Sequence, residues 1–536
     1  MAGLLLAASF PKISIAGLAW VAPGLILLTA IGKPGRQTFR IGYVAGLAHH
    51  LASLYWLLMI PVAWFPILGW VALSAFLALE MGAWVWLSWK FFPAKLDGHT
   101  VENFAAQFFS VPWTRRIVWA ISCAAIWVAL EMYQARILGG FPWNLLGISQ
   151  YKLIPLIQVA SATGIYGVSF LLVWMSLSLL SAGFRIIRRP ALRSAWVGEI
   201  ILPALAVSAL YAIGCHKVLK PTPRSPELTV ALVQPSIPQT LIWDTNENAA
   251  RFQQLLKLSE EALKQKPDLM IWPEGAIPEM VRYDEETHRA VTSLARAHKV
   301  WLIIGSDDAE PHPNAGPQDE PDFFNSSFLV SSSGQLVERY KKRNLVMFGE
   351  YIPLFRWLPF LKYVTPIKGG FTPGEGAVPF ELKDLNVKIS VLICFEDTFP
   401  QLVREYVSDD TDFLVNLTND GWFSQSSAQW QHAAAAIFRA VENGVPLVRC
   451  SNNGLTGWVD SCGRLREMFQ SPANGIYGQG FLIAHVPVLN PGETRTPTFY
   501  RLHGDVFGWG CAALVVLQML KFCIFKRKTN SAPANS

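Results

Sequence analysis

Hydrophobic and polar residues follow two different patterns along this 536-residue chain. Residues 1–217 and 506–525 consist mainly of long apolar runs, whereas residues 218–505 alternate short apolar runs with polar stretches. A helix needs about 20 apolar residues to cross a bilayer. Apolar runs of roughly that length predict membrane-spanning helices at residues 13–31, 41–60, 67–89, 117–133, 165–184, 196–216 and 506–525. The run at residues 2–10 is about half as long. It predicts either an abbreviated first span or the truncated start of one, and the total is then about eight.

The pattern in residues 218–505 predicts a soluble α/β domain. It follows a proline-rich connector, "KPTPRSPE", which cannot continue a helix. Period-2 and continuous apolar runs predict strands at residues 228–234, 268–272, 300–306, 386–394, 411–418, 446–450 and 455–460, and a hairpin at residues 326–340. Helical periodicity is found at residues 246–265, 285–298, 399–407 and 427–443. Strands that alternate with helices are typical of an α/β fold with a mostly buried sheet.

Composition agrees with a membrane protein. Hydrophobic residues make up 51% of the chain, charged residues only 16%, and there are 21 tryptophans. This balance argues against a large cytosolic enzyme. The net charge of +6 does not require a nucleic-acid partner, because much of it falls in the short loops between the predicted spans.

Basic residues predict the orientation of the spans. They cluster in every second connection, which the positive-inside rule places in the cytoplasm. The clusters are Lys33, Arg36 and Arg40; Lys90, Lys95, Arg115 and Arg116; Arg185, Arg188, Arg189 and Arg193; and Lys526, Arg527 and Lys528. We therefore predict a transmembrane domain at residues 1–217, an extracytoplasmic catalytic domain at 218–505, and a last span with a cytoplasmic tail at 506–536. The expected location is the inner membrane of a bacterium, with the catalytic domain on the periplasmic side.

The seven cysteines contain no C-x-x-C pair, so neither a zinc site nor a disulfide scaffold is indicated. Cys450 and Cys462 flank a predicted hairpin, and the sequence leaves open whether they pair. Cys394 differs from the rest because it ends a strand in "SVLICFEDTF" and is followed at once by two acids.

Three strand ends carry residues suited to covalent acyl chemistry. Glu274 follows a strand in "IWPEGAIP", Lys341 and Lys342 follow the hairpin, and Cys394 ends a strand. Alone, each has an ordinary explanation. Glu274 could be a solvated loop residue, the two lysines could be solvent-exposed, and Cys394 could be a core thiol. Ligands of open α/β sheets bind at the carboxyl ends of the strands, where these residues could converge. A carboxylate can activate a thiol as its base, and an ammonium can stabilise an oxyanion.

These residues and several longer motifs resemble a known family. Glu274 in "WPE", Lys342 in "YKKRNLVMFGE" and Cys394 in "CFE" resemble the Glu-Lys-Cys triad of the nitrilase (carbon–nitrogen hydrolase) superfamily. Its membrane-embedded branch, the apolipoprotein N-acyltransferase family, is similar over nearly the whole chain. The motifs that carry the likeness are "GGFPWNLLGISQ", "VQPSIPQTLIWD", "FGEYIPL", "NLTNDGWF" and "CSNNGLTG".

The resemblance implies a nitrilase-like αββα sandwich carried by a multi-span helical domain. It implies transfer of a fatty acyl chain from a phospholipid to the N-terminal α-amino group of a diacylglyceryl-modified apolipoprotein. Glu274 would be the general base, Cys394 the nucleophile and Lys342 the oxyanion stabiliser. The resemblance also implies supporting roles for Glu350, Phe395 and Glu396, and an acyl or headgroup path near Trp243, Asn419 and Trp422.

Two positions depart from the family pattern. The family usually has Y-N-K where this chain has "YKK", so Lys341 competes with Lys342 for the catalytic role. The spacing to Glu350 favours Lys342. Phe395 stands where the family often has tyrosine, which puts in doubt any role that needs a hydroxyl there.

The stretch at residues 348–371 is too apolar for a free surface loop. Trp357 and Phe360 alternate with Arg356 and Lys362, a pattern that favours contact with lipid headgroups. We predict a mobile lid that dips into the outer leaflet, with Gly369 and Gly370 as its flexible end; the alternative is a loop packed against the core of its own domain.

The predicted reaction is a ping-pong transfer through a cysteine thioester, which needs no cofactor or metal, in a monomer. A membrane-anchored amidase with water as acceptor, or a transporter with a non-catalytic nitrilase-like cap, are the alternatives. His49, His50, Glu80 and Glu131 lie within predicted spans, where ionisable groups are costly. They are expected to bond between helices or to line a lipid entrance.

Overall fold

The computed structural model describes residues 1–94, 107–188, 196–220, 225–312, 321–353 and 370–530. The chain divides into two compact units. One contains Met1–Tyr55, Trp70–Leu219 and His503–Ser536, and the other contains Trp56–Gly69 and Lys220–Leu502. The first unit is helical and the second is an α/β unit.

The helical unit contains most of the apolar runs. Its helices are α1 (Ala2–Ala8), α2 (Ala22–Thr29), α3 (Gly35–Ser53), α4 (Phe65–Lys90), α5 (Trp113–Gln134), α6 (Ile154–Ile157), α7 (Ala160–Thr163), α8 (Ile165–Arg188) and α9 (Val197–Leu219), with α16 (Val506–Asn530) at the end of the chain. In the described ranges, five helices are long and apolar enough to cross a membrane, namely α4, α5, α8, α9 and α16. This bears out a multi-span helical membrane domain.

Two of the predicted spans, at residues 13–31 and 41–60, are less regular than the sequence suggested. The run at residues 13–31 forms a 3₁₀ turn, Ala16–Trp20, followed by the 8-residue helix α2. Pro23 lies in the first turn of α2, where its missing N–H is tolerated, but the same proline cannot continue a helix from the preceding residues. The run at residues 41–60 is helical only to Ser53 and then becomes a 3₁₀ turn, Tyr55–Met59.

Small residues allow close packing of α3 against α4. Built on Gly42, a Cβ atom would lie 2.6 Å from the Met81 carbonyl oxygen, and one on Gly46 would lie 2.7 Å from the Met81 Cβ. Glycines one turn apart on a helix are a common means of close helix approach within membranes.

The α/β unit contains two six-stranded sheets. The strands of the first sheet, in spatial order, are β12 (Gly480–Pro487), β1 (Glu227–Gln234), β2 (Leu269–Ile271), β3 (Trp301–Glu310), β4 (Asp322–Val330) and β5 (Leu336–Lys341). Those of the second are β11 (Leu465–Met468), β10 (Gly457–Val459), β9 (Leu447–Ser451), β8 (Phe413–Thr418), β7 (Val387–Ile393) and β6 (Pro379–Leu382). The centre of each sheet is parallel, β1–β2–β3 in one and β7–β8–β9 in the other.

The remaining helices of this unit are α10 (Gln239–Ile242), α11 (Asn248–Leu263), α12 (Glu285–His298), α13 (Pro400–Glu405), α14 (Ala428–Asn443) and α15 (Phe499–His503). Helices α11 and α12 cover one face of the first sheet, where Leu255 and Val291 join a core with Met270, Leu302 and Ile304. Helices α13 and α14 pack together, and α14 also contacts β9. The two sheets contact each other through β1 and β9 and through β4 and β7, giving the αββα sandwich that the sequence predicts.

Cys450 and Cys462 are not joined by a disulfide in this fold. The Cys450 Sγ atom instead lies 3.3 Å from the Ile271 carbonyl oxygen and 3.4 Å from the Val233 carbonyl oxygen.

Candidate active site

Three strand ends bring the predicted triad residues to one edge of the sandwich. Glu274 lies in the turn after β2, Lys342 directly follows β5, and Cys394 directly follows β7. Gly275, which follows Glu274, has a φ of 59°, a left-handed conformation that glycine adopts without strain. These positions agree with the rule that ligands bind beyond the carboxyl ends of parallel strands.

One cation joins two carboxylates in this site. The Lys342 Nζ atom lies 2.8 Å from Glu350 Oε1 and 3.4 Å from Glu274 Oε1. The side-chain amide of Asn325 donates to the same two oxygens, at 2.8 Å to Glu274 and 2.9 Å to Glu350. The second oxygen of each carboxylate accepts a backbone N–H, from Asn419 to Glu274 at 3.0 Å and from Val346 to Glu350 at 2.8 Å. Both acids are therefore held in one orientation.

Lys342 is buried to 1% exposure, yet it is surrounded by negative charge. Burial by itself would lower the pKa of its ammonium, but Glu350, Glu274 and Cys394 together raise the pKa above its ordinary value. The side chain therefore stays a cation throughout the physiological pH range.

Lys341 has different surroundings. It forms an ion pair with Glu310, and its Nζ atom lies 3.8 Å from the centre of the Phe324 ring. Consecutive residues at a strand end point to opposite faces, so only one of the two lysines can reach Glu274. In the structure that lysine is Lys342.

Cys394 has a strained backbone. Its φ is 53°, in the left-handed region that a non-glycine residue occupies at a cost of about 1–3 kcal/mol. Its carbonyl oxygen is fixed from two sides, by the Asn416 side-chain amide at 2.8 Å and by His432 Nε2 at 3.3 Å. Non-glycine strain of this kind concentrates at functional sites.

The Cys394 sulfur is held in the neutral form. Its side chain is half-buried, and desolvation followed by the charge of Glu274 raises the pKa of the thiol well above the ordinary value. Lys342 and a hydrogen bond with Thr418 act in the opposite direction. In the resting state the thiol therefore keeps its proton.

Glu396 connects the turn at Cys394 to the chain around Lys342. It is fully buried and accepts backbone N–H groups from Ile393 at 2.7 Å and from Arg343 at 2.8 Å, as well as the Tyr340 hydroxyl at 2.8 Å. Desolvation raises the pKa of the Glu396 carboxyl, and the backbone N–H groups of Ile393 and Asn344 oppose that effect. Its contacts are those of a positioning residue, whereas Glu350 contacts Lys342 directly.

A buried network of four charged side chains supports the turn at Cys394. His432 lies 2.7 Å from Asp397 and 2.9 Å from Asp420, and Arg449 lies 2.7 Å and 2.8 Å from the same two aspartates. Burial and Arg449 lower the pKa of His432, but the two aspartates outweigh them and raise it overall. Burial alone would raise the pKa of Asp420, and the two cations instead lower it to about 2. Sequence reasoning missed this network because its members are far apart along the chain.

The other residues suggested by the resemblance lie around this centre or outside the described residues. Trp243 and Trp422 stack edge to face with ring centres 5.2 Å apart, and Trp243 is 47% exposed. Asn419 contacts Glu274 through its backbone and the Gln239 side chain through its own. The ring of Phe395 lies 4.9 Å from that of Phe399. The predicted lid residues Trp357 and Phe360 lie outside the described residues.

Asn325 was also missed in the sequence. It lies within "DFFNSSFLV", next to Ser326 and Ser327, and nothing in that run distinguishes it from its polar neighbours. For metals, the described part of the chain contains no group of three His, Cys, Asp or Glu side chains placed to hold an ion.

Comparison with known proteins assigns the family. A family model described as the apolipoprotein N-acyltransferase N-terminal domain matches residues 2–178, and one described as carbon-nitrogen hydrolase matches residues 229–483. An apolipoprotein N-acyltransferase from Geobacter metallireducens is 35% identical over 517 residues, which cover 96% of this chain and 92% of the relative. The chain belongs to the apolipoprotein N-acyltransferase family.

More distant members of the apolipoprotein N-acyltransferase family align over most of the chain as well. One from Brucella melitensis is 30% identical, covering 87% of this chain and 84% of the relative. One from Rickettsia prowazekii is 29% identical, covering 87% and 86%. Among solved structures, an amidase from Nesterenkonia sp. covers 49% of this chain and 92% of its own at 18% identity, with a TM-score of 0.35.

Proposed function

We propose that this chain transfers a fatty acyl chain from a phospholipid, through a thioester on Cys394, to the N-terminal α-amino group of a diacylglyceryl-modified apolipoprotein. The observation that carries the mechanism is the contact between Lys342 and Glu274, 3.4 Å apart, beside the strained Cys394 turn. The choice of substrates is supported by membership of the apolipoprotein N-acyltransferase family and by helices long enough to span a membrane.

In the first half-reaction Glu274 takes the proton from the Cys394 thiol. The sulfur attacks the ester carbonyl carbon of the phospholipid, and the negative charge on the carbonyl oxygen is stabilised by the Lys342 ammonium. When the carbon–oxygen bond breaks, Glu274 returns its proton to the leaving oxygen. A lysophospholipid departs, the acyl chain remains on sulfur, and Glu274 is again a carboxylate.

In the second half-reaction the α-amine of the apolipoprotein attacks the thioester carbonyl carbon. The new carbon–nitrogen bond forms, the carbon–sulfur bond breaks, and a proton from nitrogen returns through Glu274 to the Cys394 sulfur. Glu274 thus acts as base and acid in both halves, as a ping-pong scheme requires. Because Asn325 and the Asn419 N–H both hold its carboxylate, Glu274 can serve both steps without moving.

The supporting residues have separate roles in this scheme. Glu350 holds Lys342 against Glu274, and Glu396 fixes the turn that carries Cys394. The exposed Trp243 and its partner Trp422, together with Asn419, are proposed to line the path of the acyl chain or headgroup. The same function is proposed for Trp357 and Phe360. Phe395 contributes shape only, since its ring offers no hydroxyl.

The substrates also suggest a location. Both donor and acceptor are anchored in lipid, so the active site must lie at a membrane surface. The basic residues that follow the first, third, fifth and last long apolar runs favour a cytoplasmic position for those connections. We therefore propose the inner membrane of a bacterium, with the α/β unit on the periplasmic side, and a monomer as the working unit.

The proposal is tested by following the acyl chain. Membranes that contain the full chain are incubated with a phospholipid that carries an alkyne-tagged acyl group. The expected result is a hydroxylamine-sensitive adduct on the protein, absent after Cys394→Ala and retained after Cys462→Ala, a control at another half-buried thiol of the same unit.

A diacylated lipopeptide with a free α-amine is then added. It should gain the mass of one acyl chain, and Glu274→Gln should abolish the gain. An adduct that is released only to water, with no change in the lipopeptide, would instead indicate an amidase or esterase. No adduct at all would refute the thioester mechanism.

A further inference from the structure

Asp307 lies beside the proposed catalytic centre. In the antiparallel pairing of β3 with β4, Asp307 is directly opposite Asn325. Side chains of directly opposite residues project from the same face of a sheet. The Asn325 amide on that face donates to both Glu274 and Glu350, so Asp307 projects next to the two carboxylates.

The neighbouring position on the same face confirms the direction. Gly305 precedes Asp307 by two residues, so both project to one side of β3. A Cβ atom built on Gly305 would lie 2.8 Å from the Glu274 Cα atom. Moving outward along β3 from Gly305, the next side chain on the active-site face is therefore that of Asp307.

Asp307 differs from its neighbours because solvent can reach it. Ile303 and Gly305, which precede it on this face, are buried, whereas Asp307 is exposed. The next residue, Asp308, points to the opposite face, where it is fully buried and paired with Arg282 and Arg339. No hydrogen bond or ion pair joins the Asp307 side chain to any described residue. An accessible, unpaired carboxylate thus marks the mouth of the site.

The charges around Asp307 favour a positively charged ligand. Among the described residues, the charged groups that act on it are Glu274, Glu350 and Lys342, so three carboxylates are balanced by one ammonium. Although its carboxylate can be reached by solvent, protein atoms surround it. Desolvation, Glu274 and Glu350 therefore raise the pKa of Asp307 to about 7, against the opposing effect of Lys342.

The proton balance of the second half-reaction requires a second acceptor. The α-amino group of the apolipoprotein arrives mainly as an ammonium, since its pKa is about 8. Its nitrogen must lose two protons to become an amide nitrogen, but the Cys394 sulfur takes back only one. Glu274 carries that proton, so another group must pass the first proton to water. Asp307 is reachable from both the site and the solvent, and its pKa is close to that of the incoming group.

We propose that Asp307 binds the α-ammonium group of the acceptor and takes the first of the two protons that its nitrogen loses. In this step the nitrogen–hydrogen bond breaks, its electron pair stays on nitrogen, and the proton passes to the Asp307 carboxylate and then to water. The neutral amine then attacks the thioester while Glu274 receives the second proton. This inference rests on the proposed function, which it extends to the recognition of the acceptor.

The two half-reactions allow a direct test with the full-length chain. The Asp307→Asn variant is acylated with the alkyne-tagged phospholipid, and the rate of adduct formation is measured. The acyl group on the protein is then removed by one of two nucleophiles, the diacylated lipopeptide or hydroxylamine. Hydroxylamine is electrically neutral at neutral pH. We expect the rates of acylation and of deacylation by hydroxylamine to be within about twofold of those of the unaltered chain. Deacylation by the lipopeptide should be slowed at least about tenfold.

The pH dependence gives a second readout. In the unaltered chain, deacylation by the lipopeptide should increase with pH through an apparent pKa of about 7. In Asp307→Asn the increase should move up towards the pKa of a free α-amine, about 8. Asp307→Glu should restore much of the rate, and Glu381→Gln, which removes an exposed carboxylate from the other sheet, should change nothing.

Several outcomes would overturn the inference. If acylation and deacylation were slowed equally, or if deacylation were slowed equally with the lipopeptide and with hydroxylamine, the substitution would have a structural effect. Unchanged deacylation by the lipopeptide in Asp307→Asn would also refute it. Failure of the unaltered chain to form any adduct would refute the proposed function itself, which separates the two failures.

Discussion

Replacement of Lys342 by methionine is the sharpest perturbation of the proposed site. Methionine keeps an unbranched side chain but removes a cation that Glu274 and Glu350 share. At the observed separations of 3.4 Å and 2.8 Å, and with an effective dielectric constant of about 20, the gross attraction is about 5 and about 6 kcal/mol respectively. Desolvation of the buried ammonium offsets much of this, so the attraction does not translate directly into stability.

Two consequences of Lys342→Met can be separated. Removing one partner of a buried ion pair leaves uncompensated charge and typically costs about 3–5 kcal/mol of unfolding free energy. Loss of the proposed oxyanion partner is expected to slow the formation of the Cys394 thioester by about 10²–10³-fold. Tryptophan-detected thermal unfolding in detergent measures the first effect. Adduct formation from tagged phospholipid, at a temperature well below the unfolding midpoint, measures the second.

The adjacent lysine provides a matched control. Lys341 is 22% exposed and pairs with Glu310, a contact that at a surface contributes about 0.2–1 kcal/mol. Lys341→Met should therefore unfold within a few degrees of the unaltered chain and form the thioester within about threefold of its rate. If the two methionine variants lost thioester formation equally, or if a folded Lys342→Met variant kept more than a tenth of the rate, the assignment of Lys342 would be wrong.

Three further substitutions test other parts of the site. Desolvation, and next to it the charge of Glu274, raises the pKa of the Cys394 thiol well above its ordinary value. Because Glu274→Gln removes that charge, the pH midpoint of iodoacetamide alkylation should fall, while phospholipid-dependent acylation is lost. His432→Gln should lower the unfolding midpoint more at about pH 6 than at about pH 9. The reason is that stabilisation by the protonated imidazole is complete below its ordinary pKa of 6.5 and is lost as the pH rises through the raised value. Gly305→Ala would place a Cβ atom 2.4 Å from a neighbouring carbonyl oxygen and should cost about 1–3 kcal/mol, with a slower thioester-forming step.

Each of these predictions has a result that contradicts it. An upward shift of the alkylation midpoint in Glu274→Gln would mean that this carboxylate does not face the sulfur. If the unfolding midpoint of His432→Gln fell further below that of the unaltered chain as the pH rose, the imidazole in the network would be neutral. For Gly305→Ala the control is Gly376→Ala, where a Cβ atom would meet nothing within 4 Å, and equal losses in both variants would show that close contact with the Glu274 turn is not the cause.

Much of the α/β unit could be predicted because its central strands are buried on both faces. The apolar residues Phe413, Leu414, Val415 and Leu417 within residues 411–418 predict a buried strand, and the structure has β8 at Phe413–Thr418. Strands β6, β11 and β12 were not predicted. They lie at or near the sheet edges, and their partial exposure removes the apolar signal. The helical unit shows the same limit, since composition predicts spans but not where Pro23 interrupts one.

The motifs located the residues of the site, but its geometry depends on contacts between distant segments. Nothing near Lys342 in the chain indicates that Asn325 would bridge its two acids. The left-handed turn at Cys394 depends on Asn416 and His432, which follow it by 22 and 38 residues. Local propensity disfavours that conformation, so only the assembled fold can impose it.

Asp307 shows how a small error in an element boundary conceals a functional hypothesis. The sequence predicts that the strand ends at residue 306, which leaves the two aspartates of "DD" beyond it. In the structure β3 continues to Glu310, and the alternation of a strand sends the two aspartates to opposite faces. Asp308 becomes a buried ion-pair partner, whereas Asp307 projects into the active-site mouth beside Asn325. A strand extended by four residues thus turns two apparently equivalent acids into one structural group and one candidate for binding the acceptor.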